Sequence, residues 1–322
     1  MRRPYMQCAR RRSPGLDMAG ASLRCNMWPD AIGCDPYCKF MDNEAYHLHP
    51  AVSKSHLDQI ARSPLHYWAR YIDPNRTTPD PTPSMAIGSA LHTHVLELDQ
   101  WDARYAIAPE GIDRRTKIGR EEWHVFTTAA QGRTVLRREE AEQVMHMGRS
   151  VLGHRSAAAL LATDGQPEGT FMWTDEATGL QCKCRPDYMH SDGSTIVDLK
   201  TTKNASPRGF RYSVIDYRYY VQAAWYLHGV EQATGKRPER FIFVAVESTA
   251  PYACAVYEAS AEMIEAGMIQ AREDLGKLAV CKAADHWPSY SEEVQTMTLP
   301  PWMLPGAGTG EPVTFPDNIE GF

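Results

Sequence analysis

The fold of this chain is decided by the stretch Cys182-Lys-Cys-Arg-Pro-Asp187-Tyr-Met-His-Ser-Asp-Gly-Ser-Thr-Ile-Val-Asp198-Leu-Lys200-Thr-Thr202. Residues 182–190 predict one strand, and the β-branched run 195–202 predicts a second. The dipeptide Asp192-Gly193 between them is typical of a two-residue hairpin turn. The stretch therefore predicts an antiparallel hairpin whose register is set by that turn.

The predicted register brings three charged side chains together. Asp187 lies directly opposite Asp198, and alternation along the second strand puts Lys200 on the face of Asp198. Two carboxylates this close destabilise a sheet and raise the pKa of one of them. Bound Mg²⁺ would remove the conflict, because it binds through one or two carboxylates together with substrate phosphate. Lys200 would then orient or activate a water molecule, or neutralise charge on the phosphate. The alternative is a surface hairpin with solvated charges.

The composition indicates a globular protein of one large domain or two small ones. The chain has 322 residues, of which 43% are hydrophobic and 10% aromatic. Because the net charge is −6, any surface that contacts nucleic acid must be a local basic one. No apolar run is long enough to span a membrane, and the Arg-rich N-terminus lacks the apolar segment of a secretory signal. The eight cysteines include no CxxC pair and predict free thiols in a reducing cytoplasm. The alternative is a zinc or iron–sulfur site formed by Cys8, Cys25, Cys34 and Cys38, whose spacing is poor for one.

Three segments are predicted along the chain. Residues 1–40 are expected to form an irregular, disordered extension that contains arginine and cysteine, residues 41–302 the folded domain, and residues 303–322 a Pro/Gly-rich tail. Apolar periodicity predicts helices at 53–71 (interrupted at Ser63-Pro64), 85–98, 121–131, 134–161, 217–230 and 261–279. Strands are predicted at 101–109, 169–174, 241–247 and 254–257.

Several residues outside the hairpin are candidates for a site. His92 stacks with Gly88 on one face of the helix at 85–98, although a lone histidine is more often a packed one than a ligand. Glu168 stands before the strand at 169–174, either as a third acidic ligand or as a loop glutamate. Gln222 and Tyr226 share a helix face, where an isolated pair usually meets solvent.

A basic segment precedes the helix at 121–131. It contains Arg114, Arg115, Lys117 and Arg120 within eight residues. The segment is either a solvated loop or a surface that contacts phosphates beside a DNA track.

Five motifs, taken in order, resemble those of the PD-(D/E)xK nuclease superfamily and, within it, the RecB-type exonucleases. They are Gly88-Ser-Ala-Leu-His92, Glu168, Pro186-Asp187, Asp198-Leu-Lys200 and Gln222-Ala-Ala-Trp-Tyr226. Over about residues 44–302 the chain is similar to the exodeoxyribonuclease VIII (RecE-like) proteins of phages and prophages. That similarity is carried by residues 51–60, 63–67, 88–97, 114–117, 198–202 and 221–226.

The resemblance implies an α/β fold, the restriction-endonuclease-like PD-(D/E)xK core with a mixed central sheet flanked by helices. It implies that the metal ligands are His92, Asp187, Asp198 and the backbone carbonyl of Leu199, with Glu168 as a further candidate. Lys200 would be the catalytic lysine, acting with Asp187 and Asp198, while Gln222 and Tyr226 complete the site or hold the DNA end. DNA-binding candidates are Arg114, Arg115, Lys117, Arg120 and Lys203.

The implied activity is Mg²⁺-dependent exodeoxyribonuclease action on linear double-stranded DNA, with Mn²⁺ as a substitute. The resemblance further implies 5′-to-3′ degradation that leaves 3′ single strands for recombination, a single-strand annealing partner, a ring-shaped homo-oligomer and the cytoplasm of a bacterial host. Because only Cys254 and Cys281 follow the Gln222 helix, no iron–sulfur cluster of the kind found in some RecB-type nucleases is expected. The alternatives are an endonuclease, a single-strand exonuclease, or an inactive DNA-binding subunit.

Overall fold

The computed structural model describes residues 37–38, 41, 43–77 and 82–298, with only the backbone of residues 37–38. The predicted extension (1–40) lies outside these residues apart from that short strand, and the tail (303–322) lies entirely outside them. The division of the chain into three segments therefore stays a prediction.

The described residues form ten strands and eleven α-helices. The strands are β1 (Tyr37–Cys38), β2 (Tyr105–Ile107), β3 (Thr134–Leu136), β4 (Gly165–Pro167), β5 (Thr170–Thr174), β6 (Gln181–Cys184), β7 (Tyr188–His190), β8 (Thr195–Thr202), β9 (Arg240–Glu247) and β10 (Cys254–Glu258). The helices are α1 (Asn43–Leu48), α2 (Lys54–Arg62), α3 (Pro64–Tyr71), α4 (Pro83–Leu96), α5 (Trp101–Arg104), α6 (Lys117–Ala129), α7 (Arg138–Gly153), α8 (Arg155–Ala162), α9 (Pro207–Asp216), α10 (Tyr219–Thr234) and α11 (Ala261–Ala284).

A five-stranded mixed sheet lies at the centre, in the order β10-β9-β8-β7-β4. β8 and β9 run parallel from Thr195↔Arg240 to Thr202↔Glu247, while the other neighbouring strands are antiparallel. β8 and β9 are buried along most of their length, which agrees with their continuous apolar and β-branched sequences.

Side chains alternate between two cores, one on each face of the sheet. Ile196 and Phe243 pack in the core that contains residues of α2, α9, α10 and α11. Val197 and Val244 pack in the core that contains residues of α4, α7 and α8. Each fully buried side chain of this size contributes roughly 1.5–3 kcal/mol to folding. The predicted α/β fold with a mixed sheet between helices is thus confirmed.

The register predicted for the central hairpin is confirmed, but its first strand is shorter than predicted. Tyr188 pairs with Val197 and Met189 with Ile196, as the Asp192-Gly193 turn requires. Gly193 has a φ of 71°, a conformation that glycine adopts without a steric penalty.

The prediction of one continuous strand over residues 182–190 is wrong. β6 pairs with β5 in a separate three-stranded sheet of order β1-β5-β6, whereas β7 pairs with β8. The chain changes sheets at residues 185–187, where Pro186 has no N–H group to donate to a ladder. The buried guanidinium of Arg185 donates to Thr170 Oγ1 at 2.9 Å and to the Met41 carbonyl at 2.5 Å, which holds the crossing in place.

Other differences concern elements away from the hairpin. The predicted strand at 101–109 begins as α5 before β2, and the predicted helix at 134–161 divides into β3, α7 and α8. α9 was not predicted, although Ser206 accepts a hydrogen bond from the Gly209 N–H and Pro207 follows it, as at many helix starts. No helix among the described residues is long and apolar enough to cross a bilayer.

Candidate metal and catalytic site

Three of the predicted metal ligands converge beside the crossing between the two sheets. His92 extends from α4, Glu168 lies between β4 and β5, and Asp187 lies between β6 and β7. One ligand atom of each lies within 4.8 Å of the others, and this is the one such group of His, Cys, Asp or Glu in the described part of the chain. The sequence therefore located these three residues, and the fold brings them together.

The backbone of β8 completes the group. His92 Nε2 lies 3.4 Å from Asp187 Oδ2 and donates to the Leu199 carbonyl at 2.7 Å. Asp187 Oδ2 also accepts a hydrogen bond from the Leu199 N–H at 2.8 Å. The Leu199 carbonyl thus lies next to the predicted ligand atoms of His92 and Asp187.

Glu168 has an unusual backbone conformation. Its φ is 53°, in the left-handed region that residues other than glycine seldom adopt, and such conformations occur often at functional sites. The Glu168 N–H donates to the Asp187 carbonyl at 3.1 Å, which ties the two acidic residues together.

Asp198 contacts Lys200 and Gln222 and does not belong to the three-residue group. The Asp198 carboxylate is fully buried in β8. Its Oδ1 accepts a hydrogen bond from Gln222 Nε2 at 2.7 Å, and its Oδ2 lies 2.5 Å from Lys200 Nζ. Asp198 therefore holds the lysine, and Gln222 of α10 holds Asp198; a role for Asp198 as a metal ligand stays a prediction.

Lys200 and Tyr226 lie on the α10 side of the sheet. Lys200 Nζ is 4.9 Å from the ring centre of Tyr219, and its side chain is only 13% exposed. Tyr226 is partly buried, with its ring 6.3 Å from that of Phe241. Burial, and also the nearby Asp198 carboxylate, hold the pKa of Tyr226 well above its usual value, so its hydroxyl is a hydrogen-bond donor at neutral pH.

The carboxylates of the site disfavour each other's charge. Burial and the neighbouring Asp187 raise the pKa of Glu168 to about 7. Burial raises the pKa of Asp198 to about 6, against the opposing effect of Lys200. Burial alone would lower the pKa of His92, but the Asp187 carboxylate and the Leu199 carbonyl raise it above its usual value. A divalent cation would stabilise the charged carboxylates that the fold crowds together.

The donor set fits a hard or borderline divalent cation. Two carboxylates, one backbone carbonyl and one imidazole are oxygen-rich, which suits Mg²⁺ or Mn²⁺. Cys182, Cys184 and Cys281 are buried, and none of the described cysteines joins the group. Of the N-terminal cysteines, Cys8, Cys25 and Cys34 lie outside the described residues.

The comparisons with known proteins agree with this geometry. Residues 53–300 match the family described as a PDDEXK-like domain of unknown function (DUF3799). The chain belongs to this family. PD-(D/E)xK nucleases generally use divalent metal ions, and the group of His92, Glu168 and Asp187 gives this family member a candidate site for one.

A solved structure also resembles this PDDEXK-like chain in fold. The crystal structure of a protein described as a "putative exonuclease" from Eubacterium rectale aligns with a TM-score of 0.57 at 14% identity, covering 81% of this chain and 96% of the other. At that identity the likeness concerns the fold. The structure of SSO0001 covers 60% of this chain and 86% of the other at 16% identity, but its TM-score of 0.26 is too low to compare folds. No curated protein matches the sequence.

The predicted DNA-binding residues are exposed. Arg114 and Arg115 lie before α6, Lys117 and Arg120 lie on its first turns, and Lys203 follows β8. Arg115 Nε donates to Asp113 Oδ1 at 2.9 Å, and the Arg114 guanidinium lies 4.8 Å from the Trp123 ring centre. Exposed ion pairs of this kind are weak and screened by salt, so they leave the basic segment able to contact phosphate. These roles stay predictions.

Sequence reasoning missed two residues beside Lys200. Tyr219 contacts the lysine through its ring, and Lys54 Nζ lies 5.8 Å from the same ring centre. The position of Tyr219 three residues before Gln222 was an available signal, because residues three apart share a helix face. Lys54 had no such signal, since it reaches the site from a helix more than a hundred residues away in the sequence.

We expect the stability of the protein in EDTA to fall as the pH rises. A carboxyl whose folded pKa is raised stabilises the fold below its unfolded pKa, and that contribution is lost as the pH rises through the folded value. For Glu168 the window runs from the usual 4.5 to about 7. Melting temperatures measured across this window should fall less steeply for Glu168→Gln than for the wild type. Equal slopes of melting temperature against pH for the two proteins would contradict a raised pKa of Glu168.

Replacing His92 should weaken metal binding more than it lowers the stability of the fold. We expect His92→Ala to raise the Mn²⁺ concentration required for half-maximal activity by about tenfold to a hundredfold, since it removes an imidazole beside Asp187. The matched control is His94→Ala, two residues away on the same helix, whose ring contacts Trp101. Unaltered metal titration of His92→Ala would identify His92 as a packed histidine.

Proposed function

We propose that the protein is a divalent-metal-dependent exodeoxyribonuclease that degrades linear double-stranded DNA from the 5′ end. It would leave 3′ single strands for recombination, as the resemblance to RecE-like proteins implies. The observation that carries the proposal is the convergence of His92, Glu168 and Asp187 beside the Asp198–Lys200 pair. Membership of the PDDEXK-like family and the likeness to a fold described as that of a "putative exonuclease" support it.

The residues of the site divide the chemistry of phosphodiester hydrolysis between them. His92, Glu168 and Asp187 would hold Mg²⁺ or Mn²⁺ together with the Leu199 carbonyl. When bound, the cation would supply charge stabilisation at the phosphate and its leaving oxygen. The protein groups that act beside it are the Lys200 ammonium and the carboxylate that holds it.

Lys200 is suited to donate hydrogen bonds and to offset negative charge. Burial alone would lower its pKa, but the charges of Asp198 and Asp187 raise the pKa above its usual value. The side chain is therefore an ammonium at neutral pH, able to orient the attacking water or to contact a phosphate oxygen. Asp198 fixes its position, and Gln222 fixes that of Asp198.

A cleavage assay with end-labelled DNA tests the proposal. Purified protein is incubated with linear duplexes labelled at the 5′ or the 3′ end and with a covalently closed circle, in Mg²⁺ or in EDTA. Early release of the 5′ label, with the circle intact and no reaction in EDTA, is the expected result. Cutting of the circle would instead indicate an endonuclease, and degradation of single strands alone a single-strand exonuclease. Binding without cleavage would favour an inactive DNA-binding subunit.

The proposal extends to the assembly and partners of the protein. We propose a homo-oligomeric ring around DNA, a single-strand annealing partner for the product, and action in the cytoplasm of a bacterial host. The resemblance to RecE-like exonucleases supports these points. Light scattering coupled to size-exclusion chromatography tests the ring, since a monomeric mass at working concentrations would contradict it.

A further inference from the structure

The helix that follows β8 presents a basic and aromatic face to solvent. Arg208, Arg211 and Tyr212 are exposed and lie at helical spacing on one side of α9. Lys203 precedes the helix and Tyr217 follows it, both exposed. We call these five residues the α9 surface. The acidic Asp216 is also exposed at the end of the helix, so the positive charge is concentrated in its first half.

The arginines of the α9 surface lack the ion pairs that three other exposed arginines of the protein form. Arg104, Arg137 and Arg240 each form an ion pair with a glutamate at 2.5–2.8 Å. By contrast, neither Arg208 nor Arg211 lies within 4.0 Å of an acidic oxygen of a described residue. Guanidinium groups that have no carboxylate partner and face solvent are suited to contact the phosphates of a nucleic acid.

The α9 surface leads to the candidate catalytic lysine through stacked rings. Tyr217 is 61% exposed, and its ring stacks on that of Tyr219 with a centroid distance of 5.6 Å and an interplanar angle of 28°. The Tyr219 ring in turn lies 4.9 Å from Lys200 Nζ. Aromatic rings beside a positively charged track are the means by which proteins bind single strands without reading sequence.

We propose that the α9 surface binds the unpaired end of the DNA strand that is cut. The Arg208 and Arg211 guanidinium groups contact its phosphates, and one base stacks on Tyr217, whose ring packs on the Tyr219 ring beside Lys200. α9 is about 15 Å long, so it contacts only a short stretch of the strand. This inference rests on the proposed nuclease function and adds to it a binding surface for a single strand.

Binding of a fluorescent single-stranded oligonucleotide of about 16 nucleotides in EDTA tests the phosphate contacts. The double variant Arg208→Ala/Arg211→Ala should bind at least tenfold more weakly at low salt. Its plot of log affinity against log salt concentration should be shallower by about 1.4, since each phosphate contact on a single strand contributes about 0.7. Arg272→Ala, which removes an exposed arginine of α11, is the matched control and should bind as the wild type does.

Substitutions of Tyr217 test the stacked base. Tyr217→Leu should weaken binding about fivefold to a hundredfold, the effect of losing one stacked base, while Tyr217→Phe should bind within about twofold of the wild type. Tyr217→Leu should also reverse the fluorescence quenching of a 2-aminopurine near the strand end. Tyr290→Leu, at a tyrosine that is 63% exposed and follows α11, is the control. Melting temperatures near that of the wild type would establish that each variant is folded.

The outcomes separate this inference from the proposed function. Wild-type affinity in both α9 variants, with cleavage of linear DNA by the wild-type protein in Mg²⁺, would overturn the α9 inference and leave the nuclease proposal standing. Equal loss of binding in Tyr217→Phe and Tyr217→Leu would overturn the stacking role. A wild-type protein that neither binds single strands nor cleaves DNA would overturn both proposals.

Discussion

Lys200→Ala should lower the single-turnover rate of DNA cleavage by about 10²- to 10³-fold, the cost of removing one preorganised donor from an active site. The effect follows from the position of Lys200 Nζ, which lies 2.5 Å from Oδ2 of the fully buried Asp198. Affinity for DNA measured in EDTA should change little, because a 13% exposed lysine contributes little to long-range attraction of the backbone. Quenched-flow rates with protein in excess over DNA measure the first effect directly.

Two further variants show whether the lower cleavage rate comes from the chemical step, from unfolding or from the loss of a positive charge. Removing Lys200 leaves Asp198 buried without its cation, which can destabilise the fold. Lys200→Arg keeps a positive charge for Asp198 but replaces a compact ammonium with a planar fork, so it should remain folded and still cleave slowly. Lys277→Ala, at an exposed lysine of α11, controls for loss of charge. Cleavage by Lys200→Ala at the wild-type rate would remove Lys200 from the mechanism.

The central hairpin was predictable because its signals are local. The Asp192-Gly193 turn sets the pairing of Tyr188 with Val197, and alternation along β8 then follows from strand geometry. The change of sheet at Pro186 was missed because its causes are distant in the sequence: Arg185 donates to Thr170 and to Met41, and neither contact can be read from the run 182–190.

The sequence predicted which residues belong to the site better than it predicted the contacts between them. The order of the motifs identified His92 and Asp187, but their contact depends on the packing of α4 against β8. The engagement of Asp198 by Gln222 also depends on packing, since the two residues are brought together by the burial of α10 against the sheet. The spacing of residues in the sequence predicts which of them share a face of a helix or strand. A hydrogen bond between two elements can be predicted only when the packing of those elements in the core is known.

Asp187→Asn should reduce the affinity for Mn²⁺ or Mg²⁺ by roughly a hundredfold or more, exceeding the tenfold to hundredfold cost of altering a residue that only supports a ligand. The substitution removes a charge while keeping the shape, because the asparagine carbonyl oxygen can still accept the Leu199 N–H that now donates to Asp187 Oδ2. Titration calorimetry with each cation in the absence of DNA measures the loss separately from catalysis.

The same variant tests the electrostatics of the site through its neighbour. Burial and Asp187 together raise the pKa of Glu168 to about 7, so neutralising Asp187 should lower that pKa towards its ordinary range. A ¹³C-detected NMR titration of the Glu168 carboxyl in EDTA would report the shift. Asp192→Asn, at the turn of the same hairpin where Asp192 Oδ1 accepts the Ser194 N–H at 2.8 Å, is the matched control and should change neither quantity.

If Asp187→Asn kept wild-type metal affinity while lowering the pKa of Glu168, Asp187 would neighbour the cation site without binding the cation. If both quantities were unchanged, Asp187 would lie outside the site altogether.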